Sequence, residues 1–387
     1  MWKVLFSVVL GNHILYINIL RGILMKKNNL KKKLLIIVNA LNIGGAENMI
    51  YELIKFINRD KYCPEILCYG KYQGNHLESK IAETCNIQYV GVTEKINIKS
   101  IIKVFSVIKK IKPDIIHAHQ GGVTFAIPWC IICRKPLCIT VHSKPQKAFS
   151  EKNNRMIYML KNVLNMMLVA VSRENLSLVQ KYYKVNDDKS VIVNNGIDIE
   201  RFYKIPHDKF TFINVARQDD NKNQGAIIRA LDKLIRAGKK ANLLLVGDGP
   251  CHDKLKSQAV KLGISDSVLF TGNVSDPTKY YAQSDVYVQA SFREALPLSV
   301  LEAMASGIPI VATNVGGLID VVDGNGILVD VEDDDALFSA MNTIMELSQS
   351  EYEIMANRSK QMVKGYSSVR MAEQYEKVYE KLFKRRN

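Results

Sequence analysis

Apolar residues along this chain gather in short runs, each closed by a turn signal, that read as buried strands. In the first half these are Leu34 to Asn39, Cys63 to Tyr69, IIHAH ending at His119, the run from Pro136 to His142, and Leu168 to Ser172. Their counterparts in the second half are Phe212 to Ala216, Leu243 to Val246, Val268 to Gly272, Val286 to Gln289 and Ile308 to Thr313. Continuous apolarity over about four to eight residues marks a strand covered on both faces, as in parallel sheets. Helical stretches separate the runs, and strand–helix alternation persists through Asp330. The pattern predicts an α/β fold whose second half is a complete Rossmann-like domain, and 387 residues suffice for two cores.

Three helices carry sharper signals. Ile98 to Ile111 is amphipathic, with Ile98, Ile101, Ile102, Phe105 and Ile108 as the expected core stripe and Lys95, Lys99, Lys103 and Lys110 on another face. Leu298 to Ser306 is bracketed by Pro297, suited to a first helical position, and by Gly307 and Pro309, which stop it. Ser367 to Arg385 reads as one long final helix. By contrast, residues 1–24 are apolar but broken by Gly11, Asn12, His13, Asn18 and Arg21, which suits neither a membrane span nor a signal peptide. Arg21 to Met25 can be encoded as a purine-rich ribosome-binding sequence and start codon, so translation is expected to begin at Met25.

Composition narrows the class. A chain 47% hydrophobic and 24% charged is that of an ordinary soluble globular protein. Seven irregularly spaced cysteines fit a reducing cytoplasm. Cys130, Cys133 and Cys138 lack a fourth ligand at zinc spacing, and no metal site is expected. Residues 1–190 hold 29 basic against 12 acidic side chains, a net +17, whereas residues 191–387 hold 24 against 26, a net −2. So uneven a distribution suggests that the first half faces something anionic. No nucleic-acid-binding motif accompanies the charge, and an anionic membrane surface or a phosphate-bearing acceptor fits better.

Candidate chemistry lies at strand ends and helix starts. Gly44-Gly45 sits between a strand and a helix, where backbone N–H groups can meet a phosphate. It is not the G-x-G-x-x-G of dinucleotide sites, so a nicotinamide cofactor is not expected. His119, Gln120 and His142 fall at the C-terminal ends of strands, where open α/β sheets bind ligands. Arg217 and Lys222 flank a strand end and a helix start as a diphosphate clamp would. Glu294 precedes the helix that contains Glu302, and the loop between them can fold over the helix N-terminus, making an anion site flanked by carboxylates. Asp333 to Asp335 offers a formal D-x-D for a metal, but reads better as a helix N-cap with an acidic first turn.

Several of these strings occur together in one family. SFREALPLSVLEAMASGIPIVATNVGG (Ser291 to Gly317) resembles the E-x7-E segment of retaining glycosyltransferases of family four, the group 1 glycosyl transferases, whose two Rossmann domains face a central cleft in the GT-B architecture. GGAE at Gly44, T-x-H-S at His142, N-G-I-D from Asn195 and the R-x4-K pair of Arg217 and Lys222 match other segments of that family, and the resemblance runs from about Leu34 to Phe383. It implies an acceptor-side domain over 25–188, a donor-binding domain over 189–366, and a final helix (367–385) that crosses back onto the first. It further implies that Glu302 holds the donor ribose and Glu294 the hexose. Arg217 and Lys222 would hold the leaving diphosphate, with Gly44, Gly45, Gly249, Leu298 and Ser299 in the same donor site. His142 would orient the sugar, with His119 and Gln120 lining the same cleft. The expected co-substrate is a nucleotide diphosphate sugar, with no cofactor and no metal. The expected acceptor is a glycan or lipid-linked molecule, handled in the cytoplasm or on the inner face of the membrane. A nucleotide-sugar epimerase of similar build and a non-catalytic partner in glycan assembly are the competing readings.

Overall fold

A computed structural model describes residues 31–385 apart from 43 and 93–95. The expected start at Met25, the segment 1–24 and Lys95 therefore lie outside the described residues. The first sheet comprises β1 (Lys32–Val38), β2 (Tyr62–Cys68), β3 (Asn86–Tyr89), β4 (Ile115–His119), β5 (Leu137–Val141), β6 (Met166–Ala170) and β7 (Ser190–Ile192), ordered β3-β2-β1-β4-β5-β6-β7. The second comprises β8 (Phe210–Val215), β9 (Ala241–Val246), β10 (Val268–Gly272), β11 (Val286–Gln289), β12 (Ile310–Thr313) and β13 (Gly326–Val329), ordered β10-β9-β8-β11-β12-β13. Every ladder between these strands is parallel, and each sheet is covered by an apolar cluster on both faces. The fold is the expected pair of Rossmann-like domains.

Four details depart from the sequence reading. β7 pairs with β6 and belongs to the first sheet, so the chain leaves that domain after Ile192 rather than at 188. The helix Ile98–Ile111 buries Ser100, Val104, Ile108 and Ile111, while Ile98 is 68% and Ile102 59% exposed. Its inward stripe is thus rotated from the one expected, because the helix leans on the helix Val123–Cys133, where Phe105 meets Trp129 at 5.5 Å. Pro297 is the N-cap of the helix Leu298–Ala305, one residue outside the helix. β12 begins at Ile310, two residues after its apolar run.

The chain crosses between domains twice at one point. Ile197 bridges to Ser367, with the Ile197 N–H donating to the Tyr366 carbonyl at 3.0 Å and the Ser368 N–H to the Ile197 carbonyl at 2.8 Å. A Cβ on Gly196 would lie 2.8 Å from both the Ser367 oxygen and the Ser368 Cα, so only glycine lets the two crossings touch. Beyond the crossing, the final helix Ser368–Lys384 returns to the first domain as expected. It sets Met371, Tyr375, Tyr379 and Leu382 into the core that holds Leu34, Ile36 and Leu53. Its tyrosines reach the sheet itself: Tyr379 OH lies 2.9 Å from His117 Nδ1, and Tyr375 OH 2.9 Å from Thr140 Oγ1.

Candidate active site

One cavity of about 1010 Å³ is lined from both domains. Gly44 and Gly45 approach it from the first, Arg217, Lys222, Gly249, Glu294, Leu298, Ser299 and Glu302 from the second. The structure thus brings to one cavity the residues expected to hold the donor's ribose, hexose and diphosphate. Two helices open on it, Gly45–Phe56 and Leu298–Ala305, and neither N-cap residue, Gly44 or Pro297, supplies a side-chain cap. Their first N–H groups and the positive ends of their dipoles face the cavity, which favours an anion between the domains.

The two carboxylates have different settings. Glu294 is held in its loop by Gly316 and Gly317: a Cβ on Gly316, whose φ is +52°, would sit 1.9 Å from the Glu294 carbonyl oxygen, and one on Gly317 2.1 Å from that of Ala295. Its Oε1 accepts from Lys222 Nζ at 2.6 Å and also from Gln289 Nε2. The members of this ion pair expose only 9% and 21% of their side chains. Glu302 Oε2 accepts from Tyr281 OH at 3.0 Å. Burial raises its carboxyl from the ordinary 4.5 to about 7, against the opposing pull of that hydrogen bond. Arg217, at the end of β8, is exposed on the cavity wall.

The histidines lie elsewhere. His142 and Gln120 line a smaller cavity of about 220 Å³ with Ser143 and Lys147, and neither lines the large one. His119 lines neither: it is 1% exposed, beneath His142, with its Nδ1 2.8 Å from His142 Nε2. The expectation that His142, His119 and Gln120 line the donor cleft is corrected accordingly: His142 and Gln120 share the smaller cavity, and His119, on the same face of β4 as His117, is turned inward against the rings of His117 and His142. Burial lowers the pKa of His142 to about 4 and that of His117 to about 3, so both rings are neutral at physiological pH. Asp333 caps its helix by accepting from the Ala336 N–H at 2.8 Å, and Asp334 and Asp335 pair with Arg229 and Lys233. No cluster that could hold a metal, the three cysteines included, occurs among the described residues.

Comparison with known proteins decides the family. Residues 43–201 match the family model described as Glycosyltransferase Family 4, and residues 197–362 the one described as Glycosyl transferases group 1. The chain belongs to the family-four glycosyltransferases. An uncharacterised glycosyltransferase of Methanocaldococcus jannaschii is 24% identical over 56% of this chain and 59% of its own length. The UDP-Gal:alpha-D-GlcNAc-diphosphoundecaprenol alpha-1,3-galactosyltransferase of Escherichia coli is 23% identical over 73% of this chain and 79% of its own. Among solved structures, Anabaena HepE in complex with UDP and glucose shares the GT-B fold, with a TM-score of 0.77 and 21% identity over 90% of this chain and 99% of that one.

Sequence reasoning missed part of this glycosyltransferase's site. Tyr281, Tyr287 and Gln289, all buried, join the two carboxylates through one hydrogen-bonded chain. Tyr281 OH donates to Glu302 and to the Ser299 carbonyl, Ser299 Oγ to Tyr287 OH, Tyr287 OH to Gln289 Oε1, and Gln289 Nε2 to Glu294. A glutamine inside an otherwise apolar strand was the legible clue. Glu52, Asp198 and Arg201 also line the large cavity. Lys55–Asp198 at 2.6 Å ties the first domain to the crossing segment, and Arg201–Asp276 at 3.0 Å ties that segment to the second domain. Asp198 closes the N-G-I-D segment, but neither pairing was legible in the sequence.

Proposed function

We propose that this glycosyltransferase moves a hexose or N-acetylhexosamine, with retention, from a UDP-sugar to a glycan or lipid-linked acceptor in bacterial surface-polysaccharide assembly. The observation that carries the donor half is the meeting of Arg217, Lys222 and two uncapped helix N-termini on one cavity with Glu294 and Glu302 in its walls. Arg217 and Lys222 stabilise the leaving diphosphate, where negative charge grows in the transition state. Glu302 accepts from the ribose hydroxyls, and Glu294 from the hexose. The bond from the anomeric carbon to the diphosphate oxygen breaks while the acceptor oxygen bonds to the same face, and the acceptor's proton passes to that diphosphate oxygen. His142 orients the sugar as the domains close over it. Fixed cations fill the role of a divalent metal, so none is required.

The acceptor half draws support from charge and from the Escherichia coli relative, whose named acceptor is a diphosphoundecaprenol. No helix of the described residues is long and apolar enough to cross a membrane. Lys99, Lys103 and Lys110 stand beside exposed Ile98 and Ile102 on one helix, which suits peripheral attachment to the anionic inner face of the cell membrane. The test is a panel of nucleotide sugars with excess EDTA, following UDP release and the anomeric configuration of the product by NMR. Retention and turnover without metal support the reading; inversion or a strict metal requirement defeats it.

A further inference from the structure

The pair His119–His142 carries more than sequence position. Their rings are 24° from coplanar, with centroids 5.1 Å apart and Nδ1 of His119 2.8 Å from Nε2 of His142. That is an in-plane hydrogen bond between two imidazoles, so one nitrogen donates and the other accepts. His117 offers His119 only a ring face, with centroids 4.2 Å apart. Both of its own nitrogens are engaged, by Tyr379 at 2.9 Å and Thr140 at 2.7 Å. Among the described residues, Nε2 of His119 is buried without a hydrogen-bond partner.

That orphaned nitrogen decides the direction of the bond. Were His142 the donor, neutral His119 would carry its proton on Nε2, as a buried N–H with no acceptor. Buried N–H groups are very rarely left unpaired, unpaired acceptors less rarely. The charged alternative, with protons on both nitrogens, is opposed by burial and by the neighbouring imidazoles, which push the pKa of His119 well down.

We propose that His119 is a positioning residue that fixes the tautomer of His142. Nδ1–H of His119 donates to Nε2 of His142, so His142 carries its own proton on Nδ1. The hydrogen bond one imidazole nitrogen makes sets the state of the other. Nδ1 of His142 makes no hydrogen bond among the described residues, and unlike Nε2 of His119 it is not sealed from the cavity that His142 lines. His142 therefore presents that cavity with a neutral N–H donor. It can donate to a sugar or acceptor oxygen, but it cannot remove a proton there. This deepens the proposed role of His142 and rests on it only for its effect on transfer.

The test is the full chain labelled with ¹⁵N-histidine, its tautomers read from long-range ¹H–¹⁵N spectra and the His142 signals assigned by their loss in His142→Asn. Wild type should show His142 protonated on Nδ1. His119→Asn keeps a donor near the Nδ1 position and omits only the orphaned Nε2, so it should preserve that tautomer. His119→Phe removes the donor and should let the Nε2–H form appear. UDP release from UDP-glucose should then fall about 10–100-fold in His119→Phe, the range for losing the partner that orients a metal-bound histidine, with His119→Asn close to wild type. An Nε2–H tautomer in the wild type, or a His142 signal indifferent to His119→Phe, overturns the proposal. A tautomer that shifts as expected while turnover stays constant keeps the assignment and removes His142 from the substrate instead.

Discussion

Lys222→Ala separates the two things that this lysine can do. Its Nζ is 2.6 Å from Oε1 of Glu294, and the pair exposes 21% and 9% of its side chains. Removing one partner of a buried ion pair costs about 3–5 kcal/mol because the other charge is stranded. Here Gln289 still donates to the carboxylate and part of the pair is in water, so about 2 kcal/mol of stability is expected to go. Loss of a charge-assisted hydrogen bond of about 1.5–3 kcal/mol to the diphosphate should weaken UDP about 10–100-fold. Glu294→Gln acts oppositely on binding. It frees Lys222 and removes a negative charge near the diphosphate, so UDP should bind as well as before or better, while sugar transfer falls. Calorimetric titration of UDP and thermal melts on both single variants and on Lys222→Ala/Glu294→Gln make the measurement. The double variant should regain stability and still bind UDP weakly. If UDP affinity recovers in it, Lys222 serves only to neutralise Glu294 and the clamp assignment fails.

Other expectations follow from particular residues. With its carboxyl raised to about 7, Glu302 is partly protonated at neutral pH, so UDP affinity should rise as pH passes upward through about 7 and lose that dependence in Glu302→Gln. By the same linkage the native state holds an extra proton between the ordinary 4.5 and about 7. The contribution of Glu302 to stability should thus fall as pH rises through that window, and melts of Glu302→Gln across it should lack the trend. Gly196→Ala forces a Cβ to within 2.8 Å of backbone at the double crossing; a loss of about 1–3 kcal/mol is expected in a melt, and an unchanged Tm would show that the crossing yields freely. Lys99→Gln with Lys110→Gln should weaken binding to anionic vesicles by about 2 kcal/mol at low salt without altering donor hydrolysis, and vesicle binding that ignores both would deny that face a membrane role.

What the sequence disclosed follows a physical division. Strands covered on both faces are largely apolar, so β5 and β11 could be placed from composition and flanking turns alone. The helix Leu298–Ala305 was legible because its ends are fixed by Pro297, Gly307 and Pro309, local constraints that packing does not override. The buried stripe of Ile98–Ile111 was not, since isoleucine or valine occurs on more than one face and the helix it leans on chooses among them. The end of the first domain slipped because β7 has only three residues. Within the site, residue types at strand ends and helix starts were readable, but their pairings were not. Lys222 meets Glu294 across 72 positions, and Tyr379 meets His117 across 262. His119 looked like a cleft residue because it ends a strand; that it is buried against His142 is a pairing across 23 positions, which the local sequence does not contain.

On the proposed function, the cavity between the domains holds the donor's nucleotide diphosphate. A crystal structure of the full chain with UDP and EDTA tests it most directly. The diphosphate is expected within hydrogen-bond reach of Arg217, Lys222 and the first N–H groups of Leu298–Ala305, with the ribose hydroxyls on Glu302. UDP bound at another surface, or seated in the cavity with its ribose turned away from Glu302 and its phosphates away from Arg217, would contradict it.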